Sequence, residues 1–249
     1  MKRTIKIITS AVLMSFTLVA LAQTNTVLTK DQIVAKTVAE KLAHQDRFHR
    51  ISVDADDRIV SLSGKVDLYI DKVDAERKAA KADGVKGVRN EIVVEAKHVS
   101  DAELQDTLAN KLRYDRVGYG IVFNNLAVSV TDGKALVSGN VRDFSDRDSA
   151  IAIVETTPGV RDVVDDINVA PVSPFDDQLR ISLARAIYGH TSLQRYALDP
   201  QAPIRIVVEN GKVDLYGVAS NEMDKQIAFT QANSVPGVFG VTNHIVVAR

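Results

Sequence analysis

Five histidines, no cysteine and a few tyrosines near arginine are the side chains best placed for chemistry in this 249-residue chain. The lack of cysteine excludes disulfides, thiolate zinc sites, thiol nucleophiles and a lipid carried on an N-terminal cysteine. His44 and His49 lie in the variable loop after the first helix, and no acidic third ligand falls in a compelling register, so a solvated surface pair is the simpler reading. His98, His190 and His244 fall at unrelated places. Gly118-Tyr119-Gly120 lacks the third glycine and helix cap of a dinucleotide fingerprint. No Ser nucleophile elbow, phosphate-binding glycine loop or His-Glu-x-x-His sequence is present. The expectation is a protein that is not an enzyme, with no catalytic residues, no cofactor, no metal and no small-molecule substrate.

Contact chemistry remains. Tyr188, Leu193, Arg195, Tyr196 and Leu198 cluster around a stretch that runs from His190 to Pro203. Two readings of Tyr188, Leu193, Arg195 and Tyr196 stay open. Aromatic rings with one wet end suit a membrane or partner interface. The same side chains can instead fold back and cover a sheet edge, a role tyrosine fills readily. Between Asp71 and Asp83, Lys72, Arg77, Lys78 and Lys81 alternate with Asp74 and Glu76. Lys72 and Lys78 diverge by about 120° around a helix, so this stretch reads as a solvated face.

The elements that must position these residues come in three copies. Val60-Ser61-Leu62-Ser63-Gly64-Lys65-Val66 returns as Ala135-Leu136-Val137-Ser138-Gly139-Asn140-Val141 and as Val213-Asp214-Leu215-Tyr216-Gly217-Val218-Ala219. Twenty residues after each glycine comes a second phrase, opening at Gly84-Val85, Gly159-Val160 and Gly237-Val238. Both phrases shift by 75 residues and then by 78. Two anchors moving together mark tandem homologous units.

Each unit opens with a helix-start signal: Thr29-x-x-Gln32, Ser100-x-x-Glu103 and Ser173-Pro174. Apolar residues follow at helical spacing, Val34, Val38 and Leu42 in the first copy. A hairpin comes next, with Asp132-Gly133 and Asn210-Gly211 suited to a turn with positive φ. The first copy has Asp57-Arg58 there, so that turn is either strained or of another type. Gly64, Gly139 and Gly217 are expected just past the second strand, where a bulge or a close helix excludes a Cβ. A second helix carries small residues four apart, Ala75 and Ala79 in the first copy. Gly84, Gly159 and Gly237 suit the left-handed position that ends it. The last strands are read at Ile92-Val93-Val94, Ile167-Asn168-Val169 and Ile245-Val246-Val247. The predicted class is α+β: three tandem small α-β-β-α-β domains, at 29–97, 100–171 and 173–249, after a signal peptide at 1–22. Each is small enough for a marginal core, so the repeats are expected to pack on one another or on a partner.

The signal peptide is read from Lys2, Arg3 and Lys6, the short apolar run Ile7 to Leu21, and Ala20-Leu21-Ala22 as a cleavage site. Removing those three cations from the 31 basic residues leaves 28 against 32 acidic, a net charge of −4. Residues 98–171 are the most acidic, with 7 basic and 12 acidic side chains. No unit has a basic footprint, which argues against a nucleic-acid partner.

The pattern V-x-L-x-G-x-V, a helix with A-x-x-x-A, then G-V-x-x-V-x-N-x-I-x-V resembles the BON domain of bacterial envelope proteins. The third copy matches most closely, through Val213, Leu215, Gly217, Ala228, Ala232, Gly237, Val238, Val241, Asn243, Ile245 and Val247. The second departs at Ala135, Val154 and Asp165. The signal peptide implies export, to the periplasm or by secretion, and the resemblance implies a non-enzymatic periplasmic protein that binds phospholipid membrane surfaces or envelope proteins, in osmotic or envelope-stress protection. The alternative it leaves is a periplasmic protein-interaction or holdase-chaperone module. It supplies no catalytic residues.

Overall fold

A computed structural model describes residues 28–96, 99–114, 122–198 and 203–248. The signal-peptide segment lies outside these, as do Gly118-Tyr119-Gly120 and His98.

The predicted start signals cap the first helix of each repeat. Thr29 Oγ1 accepts from Gln32 N at 3.2 Å, and Gln32 Oε1 accepts from Thr29 N at 2.9 Å, opening α1 (Lys30–Ala43). Ser100 Oγ accepts from Glu103 N at 3.3 Å at the start of α3, Asp101–Tyr114. Ser173 Oγ accepts from Asp176 N at 3.2 Å, with proline next, opening the Pro174–Gly189 helix, α5. The apolar faces of these helices are buried, through Val34, Val38 and Leu42, Leu104, Leu108 and Leu112, and Leu179, Leu183 and Ile187.

Each repeat then forms a hairpin. The strands are β1 (Ile51–Asp56) and β2 (Ile59–Val66) in the first, β5 (Asn125–Thr131) and β6 (Lys134–Val141) in the second. In the third they are β8 (Arg205–Glu209) and β9 (Lys212–Tyr216), continued by β10 (Val218–Ala219). A second helix follows: α2 (Tyr69–Ala80), α4 (Phe144–Glu155) and α7 (Glu222–Asn233). The chain returns parallel to the central strand as β3 (Gly87–Asn90) with β4 (Val93–Val94), as β7 (Asp162–Val169), and as β11 (Gly240–Asn243) with β12 (Val246–Val247). The fold is α+β, repeated three times, with the second strand of each unit at the centre of its sheet. The third strand thus begins earlier than predicted, because it already pairs at the hairpin end, Gly87 with Ile59, for example.

Gly64 and Gly139 sit inside β2 and β6, and Gly217 between β9 and β10, not past the strand end. The strand continues because Val66, Val141 and Ala219 still pair with the tail of the third strand. Their φ angles are 113°, 120° and 136°. The group that excludes a Cβ is the facing strand, not a helix: a Cβ on Gly64 would stand 2.1 Å from Arg50 O, and one on Gly139 2.1 Å from Asn125 O. The Asp57-Arg58 turn adopts positive φ at both residues, 48° and 64°, so it is the predicted turn type held in a strained form.

Three hydrophobic cores result, one per repeat, and side chains cross from one repeat to the next. Tyr69 of the first repeat packs on the second core. Phe123, from the segment before β5, is buried in the third core. Beside it Ile206 N donates to Val122 O at 2.6 Å. Among the described residues no helix is long and apolar enough to cross a membrane.

Candidate functional site

The Tyr188–Leu198 region turns inward. Leu193 and Tyr196 are buried in the third core, Tyr196 within a short helix, α6 (Gln194–Leu198). Tyr188 is half-buried and donates its hydroxyl to Ile204 O, and burial pushes its phenol well above the ordinary value. The Tyr196 hydroxyl donates to Asp224 Oδ2 at 2.6 Å and accepts from Ser220 N at 2.8 Å. Arg195 remains exposed, with its guanidinium 5.1 Å over the Tyr196 ring and paired to Asp224. Burial alone would raise the Asp224 carboxyl. The Tyr196 hydroxyl and Arg195 outweigh it and hold the group below its usual range. Of the four predicted contact residues, then, Leu193 and Tyr196 serve as core, Tyr188 covers the first strand, and only Arg195 faces outward. Two apolar side chains beside a strand edge bury more surface by folding back than by facing water.

The hairpin-turn end of each repeat is built alike. Asp31 Oδ1 accepts from Arg58 N at 2.8 Å. Asp101 accepts from Asp132 N at 2.7 Å and Gly133 N at 2.9 Å, and Asp176 from Asn210 N and Gly211 N, both at 2.9 Å. The chain leaving the second helix passes Gly84, Gly159 or Gly237 at positive φ. It then closes over the turn: Lys86 N donates to Arg58 O, Arg161 N to Gly133 O, and Phe239 N to Gly211 O.

The side chains on this common frame differ. Counting from the anchoring aspartate, the position before it is Lys30, Ser100 or Phe175. The position over the turn is Lys86, Arg161 or Phe239. The first two repeats present polar and basic tips. The third presents two phenylalanines with ring centroids 6.1 Å apart and planes 23° apart. Phe175 is 48% exposed and Phe239 75% exposed, and the connector leading into α5 carries Val172 at 93%. Sequence reasoning missed this tip. The available signal was Phe239 standing where Lys86 and Arg161 stand in the aligned phrases.

A family model described as the BON domain matches residues 30–96, 100–171 and 190–249. The third match begins after α5, although Leu179, Leu183 and Ile187 of that helix belong to the third core. No curated protein matches the chain. Among solved structures, the C-terminal domain of CdsD, a structural protein of the type III secretion system of Chlamydia trachomatis, is similar at 13% identity, covering 86% of this chain and 96% of that one, with a TM-score of 0.25. The periplasmic domain of PrgH, a type III secretion inner-membrane protein of S. typhimurium, is similar at 10% identity, covering 85% and 99%, with a TM-score of 0.19.

Proposed function

The chain belongs to the BON domain family, and on that premise we propose that it is a non-enzymatic periplasmic envelope protein that docks on phospholipid surfaces through the turn end of its third repeat. Its role on this reading is osmotic or envelope-stress protection. The observation that carries the reading is the exposed Phe175–Phe239 pair on a frame that is polar in the other two repeats. Two adjacent exposed aromatics cost solubility unless they have a partner phase. Phenylalanine is among the apolar side chains that peripheral membrane contacts bury at the headgroup–acyl boundary.

The magnitude sets the character of the contact. Fully burying a phenylalanine is worth roughly 1.5–3 kcal/mol. With 48% of Phe175 and 75% of Phe239 left to bury, the pair supplies roughly 2–4 kcal/mol, a dissociation constant of millimolar or weaker. Such docking is reversible and gains strength when several contacts engage one surface. Because it is apolar, it survives added salt, which screens charges only.

Vesicle flotation tests this. The protein is expected to float with phosphatidylcholine vesicles as well as with anionic ones, at low and high salt alike. Phe175→Ser with Phe239→Ser should abolish flotation while leaving the circular dichroism spectrum and melting temperature nearly unchanged. Unchanged flotation of that double variant would remove the tip from the reading.

A further inference from the structure

A groove of about 230 Å³ opens where the second and third repeats meet. Its walls come from α3, from the start of β5 and from Arg205 at the start of β8. Three of its lining groups are hydrogen-bond donors lacking an anionic partner. Arg113, in the last turn of α3, is half-buried, and no carboxylate pairs with it among the described residues. Arg205 is half-buried as well, and it donates to a neutral amide, Asn125 Oδ1 at 3.2 Å across the repeat junction. Asn124 is 3% exposed. Its Oδ1 accepts from Arg142 N at 2.8 Å, which leaves Nδ2 buried with no acceptor among the described residues.

We propose that this groove binds a phosphate-type oxyanion between Arg113 and Arg205, with Asn124 Nδ2 as the third donor. Two guanidiniums lining one groove repel, and the buried Asn124 Nδ2 has no protein acceptor among the described residues, so both favour an anion held there. One anion relieves both. Burial lowers the Arg205 pKa, and the charge of Arg113 adds to the shift. Donors arriving from separate walls suit a tetrahedral oxyanion. A planar carboxylate is already satisfied by one guanidinium fork. Asp106 is the one carboxylate among the lining residues, and it is exposed, which leaves the lining with a net charge of +1. The volume falls below the roughly 300–1,000 Å³ of pockets that enclose drug-sized ligands, so a headgroup-sized anion fits and a pair of acyl chains does not.

The site is a product of the tandem arrangement. Glycine clashes align Ile51, Leu126 and Ile204 as equivalent. Ser52 and Ala127 therefore stand where Arg205 stands in the third repeat, and neither can supply its charge. The groove is also independent of the phenylalanine tip. Arg205 opens β8, whereas the Asn210-Gly211 turn beneath Phe239 lies at the other end of that hairpin.

Isothermal titration of the full chain with inorganic phosphate and with glycerol 3-phosphate tests the proposal. Saturable one-to-one binding is expected with both. Arg113→Gln should weaken it about tenfold or more, the scale of a lost charge-assisted hydrogen bond. Asn124→Asp keeps the acceptor for Arg142 N but replaces the donor with a negative charge, and it should abolish binding while the melting temperature stays close to the parent value. A parallel arm compares flotation with phosphatidylcholine vesicles against the same vesicles containing phosphatidic acid. A gain with phosphatidic acid that Arg113→Gln removes assigns the anion to a lipid headgroup, and binding of the soluble anions without that gain assigns it to a free phosphate ester. Absence of saturable binding by both soluble anions, or binding that survives both Arg113→Gln and Asn124→Asp, would overturn the site.

Discussion

Asp31, Asp101 and Asp176 occupy one position of the repeat, and each reaches across to hold its hairpin turn. Asp176 is 1% exposed, so its two bonds to Asn210 N and Gly211 N are made in a dry setting. Removing a charged acceptor leaves two donors unsatisfied. Asp176→Ala is expected to cost the third repeat about 3 kcal/mol, read from urea unfolding. Asp224 supplies a pH dependence. Its folded-state pKa is depressed, so its contribution is present above the unfolded value near 4 and is lost as pH falls through the lower folded value. Tyr196→Phe removes one of the bonds that lower it. This variant should melt lower than the parent at pH 7, with the difference shrinking below about pH 4. The repeated glycines were legible in the sequence because positive φ forces the same residue each time. The aspartate anchors were not, because their partners lie 27 to 35 residues away and the turn residues themselves vary.

At the scale of elements, the repeats show how one frame absorbs unlike residues. Asn90 Nδ2 donates to Lys72 O and Asn243 Nδ2 to Lys225 O, tying the third strand to the second helix. Asp165 at that position has no donor. Arg147, at the helix position of Lys72 and Lys225, instead sends its guanidinium to Asp165 Oδ2 at 2.6 Å. In that repeat the third strand runs unbroken from Asp162 to Val169, whereas the other two break after the asparagine. The Asp165 departure seen in the sequence is therefore a rewired tie and not a lost one. The first hairpin turn keeps Arg58 at φ 64°, where the other copies have glycine. Arg58→Gly relieves that strain and retains the N–H to Asp31, so it should raise stability by about 1 kcal/mol, measured by thermal or urea melting. Gly139→Ala should do the reverse and prevent a stable second repeat, since backbone on the facing strand cannot yield to a Cβ 2.1 Å from Asn125 O.

Across the whole molecule, the coupling between repeats is uneven. The first is joined to the second through Tyr69, whose half-buried phenol is pushed up in pKa by burial, with the Asp162 and Glu155 carboxylates adding to the shift. The second and third share Phe123, Val122–Ile206 and Arg205–Asn125. Phe123→Ala should cost about 3–5 kcal/mol and lower hydrogen-exchange protection in β8 and β9, in a repeat to which the residue does not belong by sequence. Three units that pack on one another or on a partner were legible in the sequence, but not that the second would lend a core residue to the third, because the lending segment differs in every copy. Docking through the outer surface of the third repeat has a clean reporter, because the chain contains no tryptophan. Phe239→Trp places a single fluorophore at the tip. On adding phosphatidylcholine vesicles, we expect its emission to shift to the blue and to be quenched by lipids brominated near the headgroup end of their chains. Emission that stays at the water-exposed wavelength, unquenched at saturating lipid, would contradict docking through this tip.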